Sequence, residues 1–408
     1  MSPVKKFQQI LITFLLLIAS FYVGNYYGQQ GYEVQLKKSV PLVSIKNKDT
    51  YSKEVDFALF WEVWEQLRAR HLERPFDPQK LLYGAITGLV NSTGDPYSSF
   101  LDPEQNSVVT SAINGEYQGI GAELGVRDNQ IMVVAPLDGS PAKSAGIMAG
   151  DKILQINGET SFGLSLTEAV SKIRGDVGTT VTLTIQRGAP EPFDVQIIRG
   201  NITISSVTWE DKGNGVAYVR ISRFGGETNK EWNTVVSEIN LKMNNLDSLV
   251  LDLRGNPGGY MDSAIHIASE FLKNGTVVMY QEDALGESFE YKDERLGSFE
   301  RLPKIFVLID GGSASASEIL AAALKENLGD LVTLVGDKSF GKGTIQDARD
   351  FKDGSGLHLT VAKWLTPKKN WVHEVGIEPD VKVEFTAEDF EQGRDPQLDK
   401  VLELARRM

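Results

Sequence analysis

Apolar residues fill positions 10–23 with only Thr13 and Ser20 interrupting them, and Lys5 and Lys6 stand just ahead. Phe21, Tyr22, Tyr26 and Tyr27 lie where aromatic side chains gather at a membrane interface. The pattern predicts an export segment over residues 1–28 with the body of the protein outside. No small-x-small cleavage site follows, which favours an uncleaved anchor over a removed signal peptide. Residues 29–54 are polar, lysine-bearing and of little periodicity, as a linker would be. Phe57, Phe60, Trp61, Trp64 and Leu67 then recur at three- and four-residue spacing, and Leu81, Leu82, Ala85, Ile86 and Leu89 do so again. Two amphipathic helices are expected within 55–102, and they could cover a core or form a dimer contact.

From residue 103 to 187 the texture changes to short strands punctuated by glycine, at 119–125, 131–135, 152–156 and 180–185, with a helix at 166–173. A small β-barrel is the expected fold there. Beyond residue 188 strand and helix alternate, which marks an α/β sheet built by crossovers. Residues 250–253 and 305–309 are continuous apolar runs, as strands covered on both faces should be. This core runs to about residue 385, and the last stretch, 386–408, carries a helix over 397–406.

The chain has 408 residues, 41% of them hydrophobic, which is enough for more than one globular core. A net charge of −13 argues against non-specific binding to nucleic acid or to anionic lipid. Cysteine is absent, so thiolate catalysis, disulfides and cysteine-ligated metals are excluded. No metal or organic cofactor is expected.

Three segments could carry chemistry. The strand at 305–309 runs through Asp310-Gly-Gly-Ser-Ala-Ser-Ala-Ser-Glu into a helix, placing Ser313, Ser315 and Ser317 at or just before a helix N-terminus. Outward-facing N–H groups there could hold an oxyanion, or the serines could simply cap the helix. The strand at 249–253 ends in Arg254-Gly-Asn-Pro-Gly-Gly, where paired glycines could turn amides toward a ligand or merely close a tight turn. A phosphate-binding loop fails because no lysine with Ser or Thr follows. In Phe340-Gly-Lys-Gly-Thr-Ile-Gln, the glycines could press Lys342 against backbone and ease loss of its proton, with Gln346 four positions on to hold the amine; a solvated loop lysine is the alternative. The four histidines, His71, His266, His358 and His373, have no comparable glycine turn and no metal-ligand spacing, so a Ser-Lys dyad is preferred to a histidine triad.

GGSASASEI followed by FGKGTIQ, with LDLRGNPGG upstream and GDPYSSFL ahead of a PDZ-like segment, resembles the carboxyl-terminal processing, or tail-specific, serine proteases in motif identity and order. WLTP, GIEPD and DPQLD further along add to the likeness, which covers about residues 55–385. The resemblance implies a parallel or mixed protease core of the crotonase-like type beside a PDZ module. It also implies that Ser315 is the nucleophile, Lys342 the base and Gln346 its orienting partner, with Ala316 and Gly258 supplying oxyanion amides. In the PDZ module it implies that Gly119, Ile120 and Gly121 form the loop that takes a substrate's terminal carboxylate. Arg174 matches an arginine through which the module communicates with the catalytic domain.

These residues together suggest a single-pass protein of the bacterial cell membrane, its catalytic body extracytoplasmic, that cleaves exported or membrane proteins bearing accessible apolar C-terminal tails. It could also pair with itself through its N- and C-terminal helices. Two other classes remain: a tethered PDZ adaptor on an inactive protease fold, against which intact Ser315, Lys342 and Gln346 argue, and an α/β enzyme of thioester acyl transfer, against which the PDZ segment argues.

Overall fold

The computed structural model describes the chain except for residues 1–2, 30–31, 38–39, 46–54, 128, 138, 149, 165, 189–190, 294, 387, 390–391 and 408. Residues 1–84 and 85–408 form two compact units. In the first, the helix Pro3–Gln29 contains the apolar stretch Lys5–Tyr26, whose 22 residues suffice to cross a membrane as an anchor or a signal sequence does. Part of the expected linker is ordered differently: Tyr32–Lys37 and Val40–Ile45 pair as antiparallel strands. The alternation Tyr32, Val34, Leu36 against Glu33, Gln35, Lys37 is the period-two signal that a search for helical spacing passes over. The rest of that linker lies outside the described residues. The helix Ala58–Arg70 buries none of its residues; Phe57, Phe60, Trp61 and Trp64 pack on one another, at centroid distances of 5.1–6.5 Å.

In the second unit, Ala122–Arg127, Gln130–Pro136, Lys152–Ile156, Thr180–Gln186 and Phe193–Ile198 build one sheet, with the helix Leu166–Ile173 packed on it. Ile131, Val133, Ile153, Leu183 and Ile185 fill its core together with Ala169 and Ile173 of the helix. Three details differ from the sequence expectation. The stretch after Pro103 is a helix, Pro103–Asn114, started by a capping box between Asp102 and Gln105. The module runs past residue 187, because Phe193–Ile198 joins the sheet and Ile197 its core, while Gly200–Thr203 pairs with Glu116–Gly119. Among the described residues no pairing joins the edges Ala122–Arg127 and Phe193–Ile198, so the sheet is open rather than a closed barrel.

The larger part of the unit is a six-stranded sheet in the order Val207–Asp211, Val216–Ile221, Ser248–Asp252, Ile305–Ile309, Val332–Gly336, Val381–Lys382, parallel except for its first pair. Alternate residues of the central strands feed opposite layers. Leu249, Leu251, Ile305 and Val307 meet the helices Thr228–Lys242, Met261–Ala268 and Ala316–Leu328, whereas Val250, Phe306 and Leu308 meet Val401 of the helix Pro396–Ala405. Burial on both faces explains why these strands read as unbroken apolar runs. A second, antiparallel sheet is organised around the long strand Gly356–Leu365, which pairs with Val277–Asp283, Thr344–Asp350 and, near its start, Ser99–Leu101.

The turns that carry the candidate chemistry leave the carboxyl ends of Ser248–Asp252 and Ile305–Ile309, where open parallel sheets form their crevices. The first turn is anchored by Arg254, which donates to Asp252 Oδ2 at 2.6 Å and, from the same guanidinium, to both oxygens of Asp395 at 2.8 Å, tying the C-terminal helix to the strand end. Burial alone would raise the Asp395 carboxyl; Arg254 and the Leu398 N–H outweigh it and hold the group below its usual range. Arg254→Ala leaves the fully buried Asp252 carboxylate without its ion-pair fork and is expected to cost about 3 kcal/mol, read as a lower unfolding midpoint. Since the folded-state value of Asp395 is depressed, its contribution is present above the ordinary carboxylate range, near pH 4, and is lost as pH falls below it. The variant should therefore lose less stability than the wild type on acidification.

Candidate active site

The helix Ala316–Leu328 starts where three serines alternate with alanines, and their side chains have separate fates. Ser313 is buried and its hydroxyl donates to the carbonyl of Leu253 at 2.8 Å. Ser317 is buried and donates to the carbonyl of Asn256 at 2.9 Å. Both fasten the serine turn to the Arg254–Gly259 turn. Ser315 alone of the three is partly exposed, and its hydroxyl donates to no protein acceptor among the described residues. Its backbone sits at φ 54°, ψ −114°, a region that side-chain-bearing residues avoid at a cost of about 1–3 kcal/mol and that tends to mark functional sites.

Lys342 arrives on a loop whose backbone is fixed at every position. The Gly341 and Lys342 N–H groups donate to Glu318, the Gly343 N–H meets His373 Nδ1 at 3.4 Å, and the Lys342 and Gly343 carbonyls accept the indole N–H of Trp364 and Trp371, each at 2.9 Å. The flanking glycines are needed for this approach: a Cβ on Gly341 would lie 2.8 Å from the Gly376 nitrogen, and one on Gly343 would lie 2.7 Å from Trp371 Nε1. Burial pushes the Lys342 ammonium below its ordinary value, and the Asp95 carboxylate acts in the opposite direction. Lys342 Nζ makes no hydrogen bond or ion pair among the described residues, to Ser315 or to any other group, and faces the Tyr97 ring at 5.2 Å from the centroid.

Glu318, the last residue of the Ser-Ala-Ser-Ala-Ser-Glu segment and a residue to which the motif alone assigns no role, joins the two halves. It is 1% exposed. One carboxylate oxygen accepts the N–H of Ser315 and the N–H of Lys342, both at 2.9 Å; the other accepts Ser339 Oγ at 2.6 Å and the Gly341 N–H at 2.7 Å. A glutamate three residues after the serine is the spacing of a capping box, and that signal could have singled it out.

The two amides expected at the oxyanion site differ in their surroundings. Ala316 is the first residue of the helix, and its N–H has no acceptor among the described residues. Gly258 packs so closely that a Cβ there would lie 2.9 Å from Ser315 Cβ and 3.0 Å from the Ala316 nitrogen. Its own N–H, however, donates to Asn256 Oδ1 at 2.9 Å, whereas that of the adjacent Gly259 has no acceptor among the described residues. Gln346 also departs from the expected arrangement. The strand begins only at Thr344, so Lys342 lies on the preceding loop and the four-residue spacing does not carry over, and the Gln346 side-chain amide donates to Thr344 Oγ1 at 2.9 Å and Thr360 Oγ1 at 3.2 Å. His373 is spent on structure, its ring stacked on Trp371 and its Nδ1 turned to Gly343.

In the smaller module, Gly119, Ile120, Gly121 and Arg174 line one cavity of about 330 Å³ whose other walls include Leu124 and Val170. The N–H groups of Ile120 and Gly121 have no acceptor among the described residues, as a carboxylate-binding loop requires. Gly121 adopts φ +72°, and a Cβ on it would lie 2.5 Å from Ser140 Cβ. The Arg174 guanidinium covers the Tyr117 ring at 4.8 Å, and the same two residues also line a neighbouring cavity of about 580 Å³ with Arg223.

Comparison with known proteins places these features. Residues 215–383 match Peptidase family S41 and residues 132–187 match the PDZ domain. The chain is 39% identical over 324 residues to the carboxy-terminal processing protease CtpA of Bacillus subtilis (strain 168), an alignment that spans 79% of this chain and 68% of the relative. It is 36% identical over 358 residues to the carboxy-terminal-processing protease of Bartonella bacilliformis, spanning 87% and 81%. In fold it is similar to the crystal structure of a putative S41 protease from Bacteroides fragilis, with a TM-score of 0.58 at 18% identity over 87% of this chain and 98% of that one.

Proposed function

The chain belongs to peptidase family S41 and is a carboxy-terminal processing serine protease with a PDZ domain; from that premise we propose that it cleaves tailed proteins with a dyad of Ser315 and Lys342. The observation that carries this reading is the partition of the three serines: among the described residues only Ser315 keeps its hydroxyl proton free of an acceptor, and one glutamate holds its backbone and that of Lys342. The Lys342 lone pair takes the Ser315 hydroxyl proton while Oγ bonds to the peptide carbonyl carbon and the carbonyl π pair moves to oxygen. The N–H of Ala316 and an amide of the Gly258–Gly259 turn receive the oxyanion. The ammonium returns its proton to the leaving amine, and water then hydrolyses the acyl-enzyme. Gln346 supports the base through the hydroxyls it holds. A crotonase-like arrangement of the core, with the crevice at the strand ends, suits this chemistry.

The apolar walls around Gly119–Gly121 suit an apolar C-terminal tail whose carboxylate meets the free amides, with Arg174 at the edge to relay occupancy. The helix Lys5–Tyr26 serves in this reading as an uncleaved anchor that leaves the body outside a bacterial membrane, and the uncovered aromatic face of Ala58–Arg70, with the C-terminal helix, supports pairing of two copies.

The test is incubation of the full chain in detergent with a model protein carrying an apolar C-terminal extension, followed by intact-mass analysis. Shortened products from the tailed protein and none from the untailed one are expected. Tail binding without any cleavage would favour the adaptor class. Gly121→Val, which forces a side chain into Ser140 from a left-handed backbone, is expected to weaken tail binding and raise KM for the tailed protein by about tenfold or more, while a short untailed peptide is cleaved at the usual rate. Equal effects on both substrates would remove the loop from recognition.

A further inference from the structure

The Lys342 amine is faced by a turn that no step so far uses. The Tyr97 ring lies 5.2 Å from Nζ, and Asp95, two residues before it, exerts its charge on the same amine. The turn is built to stay there. Asp95 accepts the Tyr97 N–H at 3.0 Å and Ser98 Oγ at 2.6 Å, and Ser98 Oγ in turn accepts the Thr360 N–H at 3.0 Å. The Thr360 hydroxyl, which accepts from Gln346, also bonds Asp95, so Gln346 reaches the base site through Thr360 and Asp95. On its other side the Tyr97 ring meets His373 edge-on at 5.9 Å, and His373 stacks at 5.0 Å on Trp371, whose indole holds the Gly343 carbonyl.

We propose that Asp95 and Tyr97 are positioning residues for the base, the ring face and the carboxylate together stabilising the ammonium that Lys342 becomes when it accepts the Ser315 proton. This rests on the dyad proposed above. A buried amine is a ready proton acceptor only if the cation formed on it is also accommodated, and a ring face backed by a carboxylate supplies that accommodation without neutralising the base by a direct ion pair. The other charged or titratable groups around the lysine are otherwise engaged. Glu318 is occupied by four donors, His373 Nδ1 by the Gly343 N–H, and Lys363 on Gly356–Leu365 by Glu282 at 2.6 Å.

The experiment is the pH profile of kcat/KM on the tailed protein for the wild type, Tyr97→Phe, Tyr97→Leu and Asp95→Asn. Activity rises with pH as Lys342 loses its proton. Removing a group that stabilises the ammonium lowers the pH at which this happens and weakens the base. Tyr97→Leu and Asp95→Asn are therefore expected to move the acid limb down by about one pH unit and lower the plateau on the order of tenfold, while Tyr97→Phe, which keeps the ring, stays near the wild type. A fall in rate with the limb unmoved, or a Phe variant as impaired as the Leu variant, would overturn the proposal. If Tyr97→Leu fails to fold, Asp95→Asn and Tyr97→Phe decide the matter. Full activity in Lys342→Ala would instead sink the dyad itself, so the two failures are distinguishable.

Discussion

Ser315→Ala and Lys342→Ala are each expected to abolish cleavage of a tailed protein while leaving the unfolding midpoint close to that of the wild type. Among the described residues the Ser315 hydroxyl donates to no protein group and Lys342 Nζ makes no hydrogen bond, so the truncations remove only a helix-cap acceptor and a contact with the Tyr97 ring. In the dyad proposed above each removes one member of a nucleophile and base unit, and the double variant should be no slower than either single one, because residues that act as a unit do not lose rate additively. Activity of the wild type should climb with pH toward a limit set by a lysine whose proton affinity burial has reduced. Cleavage by Ser315→Ala at the wild-type rate would send the nucleophile elsewhere, and Ser317 is a poor refuge since its hydroxyl is buried and committed to Asn256.

Glu318→Gln is expected to lower kcat by about a hundredfold, the scale of loss that follows a misplacement of about 1 Å at a reacting centre. A glutamine keeps the size but offers one acceptor oxygen and turns an N–H₂ toward donors, so at least two of the four groups that Glu318 now satisfies lose their partner. Each buried donor left unpaired costs about 1–3 kcal/mol, which the loop can relieve only by moving the Lys342 backbone away from Ser315. Glu318→Ala should show the same loss of rate with a larger drop in stability. Rates and unfolding midpoints measured side by side separate the two effects. A Gln variant with undiminished kcat would mean that the shared carboxylate does not set the geometry of the dyad.

How far the site was legible depended on whether local pattern or long-range contact determined each part. The strands around Ile305 and Leu251 announced themselves because burial on both faces leaves no polar position, and Lys342 did so because its two glycines are required by the close approach of residues 371–376. Ser315 could be separated from Ser313 and Ser317 only by family resemblance, since what distinguishes them is a pair of hydrogen bonds to a turn about sixty residues earlier. Gln346 does not follow the four-residue spacing from Lys342 because the strand that carries it begins at Thr344, while Lys342 stays on a loop held by long-range contacts. The edge of the smaller module was placed too early because Phe193–Ile198 belongs to it through register with Thr180–Gln186, information that the glycines at 187–200 do not carry.

The bolting of the serine turn to the Arg254–Gly259 turn has a consequence for when this protease becomes dangerous. Ser313 and Ser317 hold segments 60 and 61 positions apart, and Glu318 adds a third segment 21 to 24 positions further on. The Arg254–Gly259 turn, the serine turn and the Lys342 loop therefore meet only when contacts that reach from Leu253 to Lys342 have formed. In the reading proposed above, a chain whose parallel sheet has not yet closed carries Ser315 and Lys342 without the turn and the shared carboxylate that hold them, so cutting ability waits on long-range folding and not on local structure.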